Sequence, residues 1–451
     1  MTRPSAQSQP DQSASGTLPK IFSALFGGLL GLCLLKFGNP VVMAKFVTRP
    51  ANIYEWIFNA WPLTMAPWFL AVVVCAGFTV MHLETKKVPL PLLLLPAAWL
   101  IWEIIAGTQT VNPPLTSLTL THFAACVVCF YVGFFALAPQ KDVWPFWLGL
   151  LIAFLIVLAF GFQQHFGGLE EMRRYFYLYD FPDPAKPPPP ELVKRISTNR
   201  IFSTLLYPNT LAQVILLVLP ALLAFLWSLQ GRFTTGARRF LVAAVAVGGL
   251  ACLFWSGSKG GWLLMLFEGF VAAMFLPMKR QLKLALVAAF LVAGLAGFFI
   301  RHAGYFKKGA TSVEARFDYW RAALHIANEK PLFGTGPGTF AIPYEKIKKP
   351  ESEMARLTHN DYLQQASDSG IPGFLLFTGF IGWCIVYVYR KGALKSDAVR
   401  LATWLGLLGW ALQSLLEFGL YIPAVAWMAF SFMGWLLGTM GNQLDRSEVA
   451  R

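Results

Sequence analysis

The side chains in this sequence best suited to move a proton beside a negative charge are an imidazole at His359, guanidiniums at Arg200 and Arg316, and an ammonium at Lys259. His359 stands in Leu357-Thr-His-Asn-Asp-Tyr-Leu363, with Asn360 and Asp361 directly after it. An imidazole, with an ordinary pKa of about 6.5, takes a proton from a hydroxyl at neutral pH, and such help is typically worth about 10²- to 10⁴-fold. Asp361 is placed to orient that ring or, equally, to cap the helix that follows. His82, His122, His165, His302 and His325 have no polar company that suggests a task.

Arg200 ends Arg195-Ile-Ser-Thr-Asn-Arg200 and leads straight into an apolar run. Position alone suits an interfacial anchor, and a guanidinium at that level also suits a phosphate. Lys259 lies in Ser256-Gly-Ser-Lys-Gly-Gly261, where glycines let other groups approach the backbone. Arg316 opens Arg316-Phe-Asp-Tyr-Trp320. Around it Phe317, Trp320, Leu324 and Ala327 recur at helical spacing, which predicts an amphipathic surface helix over Ser312 to Asn328. On that helix Arg316 sits beside the Trp320 ring at i and i+4, and Arg321 points elsewhere. Pro331 stops the helix, and Gly334, Gly336 and Gly338 predict a flexible turn, without the Lys-Ser/Thr ending of a nucleotide loop. Lys346, Lys348 and Lys349 read as a solvated or headgroup-contacting face.

What positions these residues is a membrane scaffold. With 56% hydrophobic residues and 13% charged, the 451-residue chain is not one soluble core. Its apolar runs are continuous rather than alternating, which excludes an outer-membrane barrel. At about 20 apolar residues per pass, twelve spans are expected: 21–37, 61–82, 88–107, 118–138, 143–162, 202–229, 240–255, 261–277, 284–300, 371–389, 401–417 and 422–440. The expected plan is a disordered tail over 1–20 and nine spans over 21–300 interrupted by a loop at 163–201. A large, partly helical catalytic loop over 301–370, three spans over 371–440 and a short tail over 441–451 follow. All six cysteines fall in apolar runs and read as small buried hydrophobes, the Cys126/Cys129 pair included.

Lys86/Lys87, Lys141, Arg232/Arg238/Arg239, Lys279/Arg280/Lys283 and Arg390/Lys391/Lys395/Arg400 all fall on one side if the N-terminus is cytoplasmic. The positive-inside rule then puts both termini in the cytoplasm and both long loops outside, in the periplasm of a bacterium. In the first loop, Tyr175-Phe-Tyr-Leu-Tyr179 precedes a stiff proline spacer, Pro182 to Pro190.

The ordered set Arg200 with Pro208-Asn-Thr-Leu-Ala212, Ser256-Gly-Ser-Lys-Gly260, Arg316-Phe-Asp-Tyr-Trp320 with Pro331-Leu-Phe-Gly-Thr-Gly-Pro-Gly338, and His359-Asn-Asp-Tyr-Leu363 with Gly370-Ile-Pro-Gly373 resembles the O-antigen ligase and O-antigen polymerase superfamily. The similarity covers roughly Arg195 to Tyr389. It implies an all-α integral membrane glycosyltransferase of the GT-C type in the bacterial inner membrane, inverting and without metal or other cofactor. The implied partners are a glycan donor on undecaprenyl diphosphate, a lipid A-core acceptor and membrane lipids, with no nucleic acid. Arg200, Arg316 and His359 match the family's essential residues; Lys259, Tyr319, Arg321, Asn360 and Asp361 are the substrate-binding candidates beside them. Lys259 departs from the family, which often has Arg there, so a bidentate phosphate contact becomes a point charge. An O-antigen polymerase or an O-linked protein oligosaccharyltransferase would share donor and residues. A lipid-linked glycan flippase would instead need ionisable groups inside its spans, for which Lys36 and Glu103 are the few candidates.

Overall fold

The computed structural model describes residues 14–83, 88–180, 188, 193, 196–307, 311–391, 394 and 397–449. The basic pair 86–87, most of the proline run 182–190, Arg195 and Lys395 lie outside them. The described chain is helical throughout, with no strand. In order the helices are α1 (Ala14–Lys36), α2 (Ile53–Phe58), α3 (Ala66–Phe78), α4 (Leu90–Gly107), α5 (Pro113–Tyr131), α6 (Trp144–Gln163), α7 (Leu169–Tyr175) and α8 (Pro208–Ser228). There follow α9 (Thr235–Ser256), α10 (Lys259–Met274), α11 (Arg280–Lys307), α12 (Thr311–Glu329), α13 (Ala341–Ile347), α14 (Asp361–Arg390), α15 (Ala398–Gln413) and α16 (Pro423–Val449).

Nine of the described helices are long and apolar enough to cross a membrane. Shorter helices, α3, α10 and α15, stand at the other three expected places. In the bilayer every backbone polar group must be satisfied within the protein, which leaves helices as the solution for continuous apolar runs. α16 is the axis of the bundle, with Trp427, Phe430 and Phe432 at most 1% exposed. It packs on α5, α1, α8 and α15, while α6 lies along α1, α14 along α4, and α8 between α9 and α15. Outward-facing side chains such as Leu284, Val292 and Ile300 on α11 remain exposed, as lipid-facing positions do.

Three local expectations change. The helix α1 begins at Ala14, so residues 14–20 are not part of a tail. Extending a helix already nucleated by the apolar run costs little. The turn after Pro331 is packed rather than flexible. Gly338 N and Phe340 N donate to the Asp368 carboxylate at 2.8 and 3.1 Å, and Gly336, at φ +102°, lies against Thr110. Finally, the buried side of α12 is Tyr319, Ala323 and Ile326, while Phe317 and Leu324 are exposed, because the helix packs on α14 and α13 rather than lying free on a surface.

Candidate active site

Arg200, Lys259, Arg316 and His359 come together at one end of the bundle, where α8, α10 and α14 begin and α9 and α15 end. Lys141, Arg232, Arg280, Arg390 and Arg400 stand at the opposite set of helix ends; there Arg232 lies over the Trp144 ring at 4.2 Å. Local signals account for each position. The helix α9 ends on Gly257 in the left-handed conformation (φ +60°), with the Arg200 side chain against the space a Cβ would take. Ser258 caps α10 by accepting from Gly261 N, which puts Lys259 in its first turn, ahead of the apolar stretch 261–277. Asn360 caps α14 through Leu363 N, so His359 stands just outside that helix. Its φ of +53° is rare for a residue with a Cβ and marks a held conformation.

The centre of the cluster is Glu417, in the link between α15 and α16. Its Oε1 accepts from Arg316 Nη2 at 2.5 Å and from Asn209 Nδ2 at 2.6 Å, and its Oε2 faces His359 Nδ1 at 3.2 Å. Arg316 also donates through Nε to the Leu416 carbonyl at 3.1 Å. Arg200 donates through Nε to the Ser256 carbonyl at 2.7 Å and through Nη2 to Asn209 Oδ1 at 2.6 Å. One chain of contacts therefore runs from Arg200 through Asn209 and Glu417 to both Arg316 and His359. The imidazole packs edge-on against Phe418 at 4.7 Å and stacks on Tyr319 at 5.9 Å between ring centres.

The electrostatics favour a bound anion. Burial raises the Glu417 carboxyl, but the His359 hydrogen bond and the charges of Arg316, His359 and Arg200 outweigh it and hold its pKa below the usual value. An ionised carboxylate only accepts, so His359 Nδ1 donates its proton to Oε2, and the proton the ring can exchange is the one at Nε2. Burial lowers the Arg200 pKa, with Glu417 opposing and Arg316 adding to the shift. Burial and then the charges of Arg200 and Arg316 bring Lys259 down to about 8. Arg200, Lys259 and Arg316 thus act on one another as like charges, and that repulsion is relieved when an anion enters between them.

Glu417 was not among the sequence candidates, and Asn209 was quoted only as part of a motif. The sole signal for Glu417 is an acid at the end of an apolar run. Asp361 does not orient His359. It is fully buried, its Oδ2 accepting from Leu420 N at 2.9 Å, because the first residue of α14 turns into the bundle. Asn360 is a helix cap, with its Oδ1 on Leu363 N at 3.0 Å. Arg321 is exposed and pairs with Asp318 at 3.1 Å on the far side of α12. The Arg316 guanidinium turns to Glu417 instead of Trp320, whose ring packs on Phe317. Beyond Lys36, which donates to the Ile57 and Asn59 carbonyls, and Glu103, which accepts from Ser369, the spans bury a further acid at Glu268.

The sequence model of a family described as O-Antigen ligase matches residues 244–378. The motif resemblance to that superfamily is therefore supported over this region, and the match supports a glycosyltransferase-type enzyme of the ligase or polymerase kind. A curated protein of Haemophilus influenzae, named only as uncharacterized, is 27% identical over 161 residues, which covers 30% of this chain and 40% of that protein.

Proposed function

We propose, from a chain that carries an O-antigen ligase region, that it transfers a glycan from undecaprenyl diphosphate to a sugar hydroxyl of lipid A-core in lipopolysaccharide biosynthesis, with inversion and without a metal. The observation that carries the proposal is the Glu417 carboxylate, which holds a base and a guanidinium together at one end of the bundle. In this reading His359 Nε2 takes the proton of the acceptor hydroxyl as its oxygen attacks the anomeric carbon. The bond from that carbon to the phosphate oxygen breaks on the opposite face. Undecaprenyl diphosphate leaves with its growing charge met by Arg316, Arg200 and Lys259, an arrangement that acts without reorganising water. Glu417 steadies the imidazolium that forms, as the acid of a catalytic triad does. A guanidinium has five N–H donors. Arg200 uses two of them on Asn209 and Ser256, so donors remain for phosphate oxygens.

The test is transfer by purified protein given undecaprenyl-diphosphate glycan and lipid A-core with chelator present, comparing wild type with His359→Ala and Arg316→Ala. Lipopolysaccharide formation that both substitutions abolish is the expected result. Lengthening of the lipid-linked glycan, or glycosylation of a protein, with lipid A-core untouched would replace the acceptor. Full activity in His359→Ala would remove the base.

A further inference from the structure

A groove of about 850 Å³ opens beside the arginine cluster, on the same end of the bundle. Its lining comes from three places: α2 with the adjoining link, the end of α6 with α7, and the segment 202–206. That last segment starts two residues after Arg200, so at no more than about 3.6 Å per residue the groove reaches within roughly 7 Å of the Arg200 backbone. Gln164 fixes the segment in place. Its Oε1 accepts from Phe202 N and Ser203 N at 3.0 and 2.7 Å, and its Nε2 donates to the Ser203 carbonyl at 3.0 Å. Ser203 and Leu206 both have left-handed backbones, φ +56° and +59°, so this floor is held in a costly shape.

The chemistry of the lining is specific. Tyr54 and Phe58 lie tilted against each other at 4.6 Å, Phe58 meets Phe160 edge-on at 6.1 Å, and Tyr175 stands in the same groove, 57% exposed. The lining also includes the amide-bearing Asn39 and Gln163 and the carboxylate-bearing Glu55 and Glu171. Although the chain carries a net charge of +14, not one Lys, Arg or His lines the groove among the described residues. Aromatic faces present apolar area to C–H groups, and amides and carboxylates accept from hydroxyls. A phosphate or an acidic sugar would meet two carboxylates and no cation there.

We infer that this groove binds an oligosaccharide without acidic groups, holding the sugars next to a diphosphate-binding cluster that is charged in the opposite sense. The inference rests on the glycosyl-transfer reading only for which molecule brings the sugars. Those sugars come from the lipid-linked donor or from the core of the acceptor, and the experiment separates the two.

Full-length protein in nanodiscs is titrated calorimetrically with two probes. One is the glycan released by mild acid from the diphosphate lipid, the other the core oligosaccharide from lipopolysaccharide lacking that glycan. One of the two is expected to bind, with at least tenfold weaker affinity in Tyr175→Ala and in Glu171→Ala, and with affinity unchanged in Lys141→Ala at the opposite end of the bundle. A uronic-acid oligosaccharide of equal length should bind at least tenfold more weakly than the bound probe. The inference fails if neither probe binds at millimolar concentration, if the Tyr175 and Glu171 variants both bind as wild type does, or if the acidic oligosaccharide binds equally well. Groove-dependent binding by a protein that transfers nothing would leave the inference standing and overturn the transfer reading.

Discussion

Replacing Glu417 by Gln keeps the side chain's shape and removes its charge, which isolates what the carboxylate does. Oε1 serves two donors, Arg316 and Asn209, and Oε2 serves one, His359. The amide oxygen of Gln is therefore required on the two-donor side, and its NH₂ faces His359 Nδ1. That nitrogen must then accept, which moves the ring proton to Nε2, where the lone pair is needed. The lost charge adds to the wrong tautomer. At 3.2 Å and an effective dielectric constant of about 20, a carboxylate steadies an imidazolium by about 5 kcal/mol. At about 1.36 kcal/mol per decade, that is nearly four decades. Glu417→Gln should lower kcat about 10³- to 10⁴-fold, while KM for the donor changes little because Arg316 keeps its acceptor. Thermal unfolding should fall by only about 1–3 kcal/mol, the range for weakening a charged hydrogen bond. Glu417→Asp, with the charge kept one methylene short, should recover part of the rate. The assay is steady-state transfer in detergent, with unfolding followed on the same preparations. A folded Glu417→Gln protein whose kcat stays within tenfold of wild type would refute the positioning role of this carboxylate.

Lys259, brought to about 8 by burial and by the charges of Arg200 and Arg316, is charged below that pH and neutral above it. A bound diphosphate favours the charged form, so donor affinity should weaken as pH rises through about 8, by up to tenfold per unit, and Lys259→Arg should remove that alkaline limb in a KM-against-pH profile. Asp361→Ala leaves Leu420 N without its acceptor and should cost about 1–3 kcal/mol in stability with kcat held within a few-fold, measured by thermal unfolding beside activity. Unchanged unfolding would remove its structural role. In Gly336→Ala the added Cβ would stand 2.1 Å from Thr110 Oγ1 at a φ of +102°, so the protein should lose its monodisperse gel-filtration peak; a stable, active variant would show that the turn after Pro331 gives way.

The membrane scaffold was legible because the requirement that creates it is written residue by residue: continuous apolar runs, each close to the length of a bilayer crossing. His359, Arg316, Arg200 and Lys259 were legible as cations and an imidazole in the polar stretches between those runs. Glu417 was not. It lies 58 positions from His359 with two helices, α14 and α15, between them, and only tertiary packing brings the two within a hydrogen bond. Asp361 misled for the complementary reason. Adjacency in sequence says nothing of direction, and the left-handed backbone at His359 together with the start of α14 sends the two side chains apart. The face of α12 was misjudged in part: Ala327 is buried as its spacing implied, but Phe317 and Leu324 are exposed, because close packing on α14 selected Tyr319, Ala323 and Ile326 beside it.

The Asn209–Glu417 contact bears on how such a protein can be divided or inherited. The region matched to the O-antigen ligase family, 244–378, contains Lys259, Arg316 and His359, but Arg200 and Asn209 come before it and Glu417 after it. The region is thus a stretch of shared text rather than a module that works when cut out. Grafted into another helix bundle, it would carry the imidazole and one guanidinium without the carboxylate that aims both. A chimera that keeps this cluster intact has to exchange the stretch from Arg200 through α8, the link after α15 and this region as one unit.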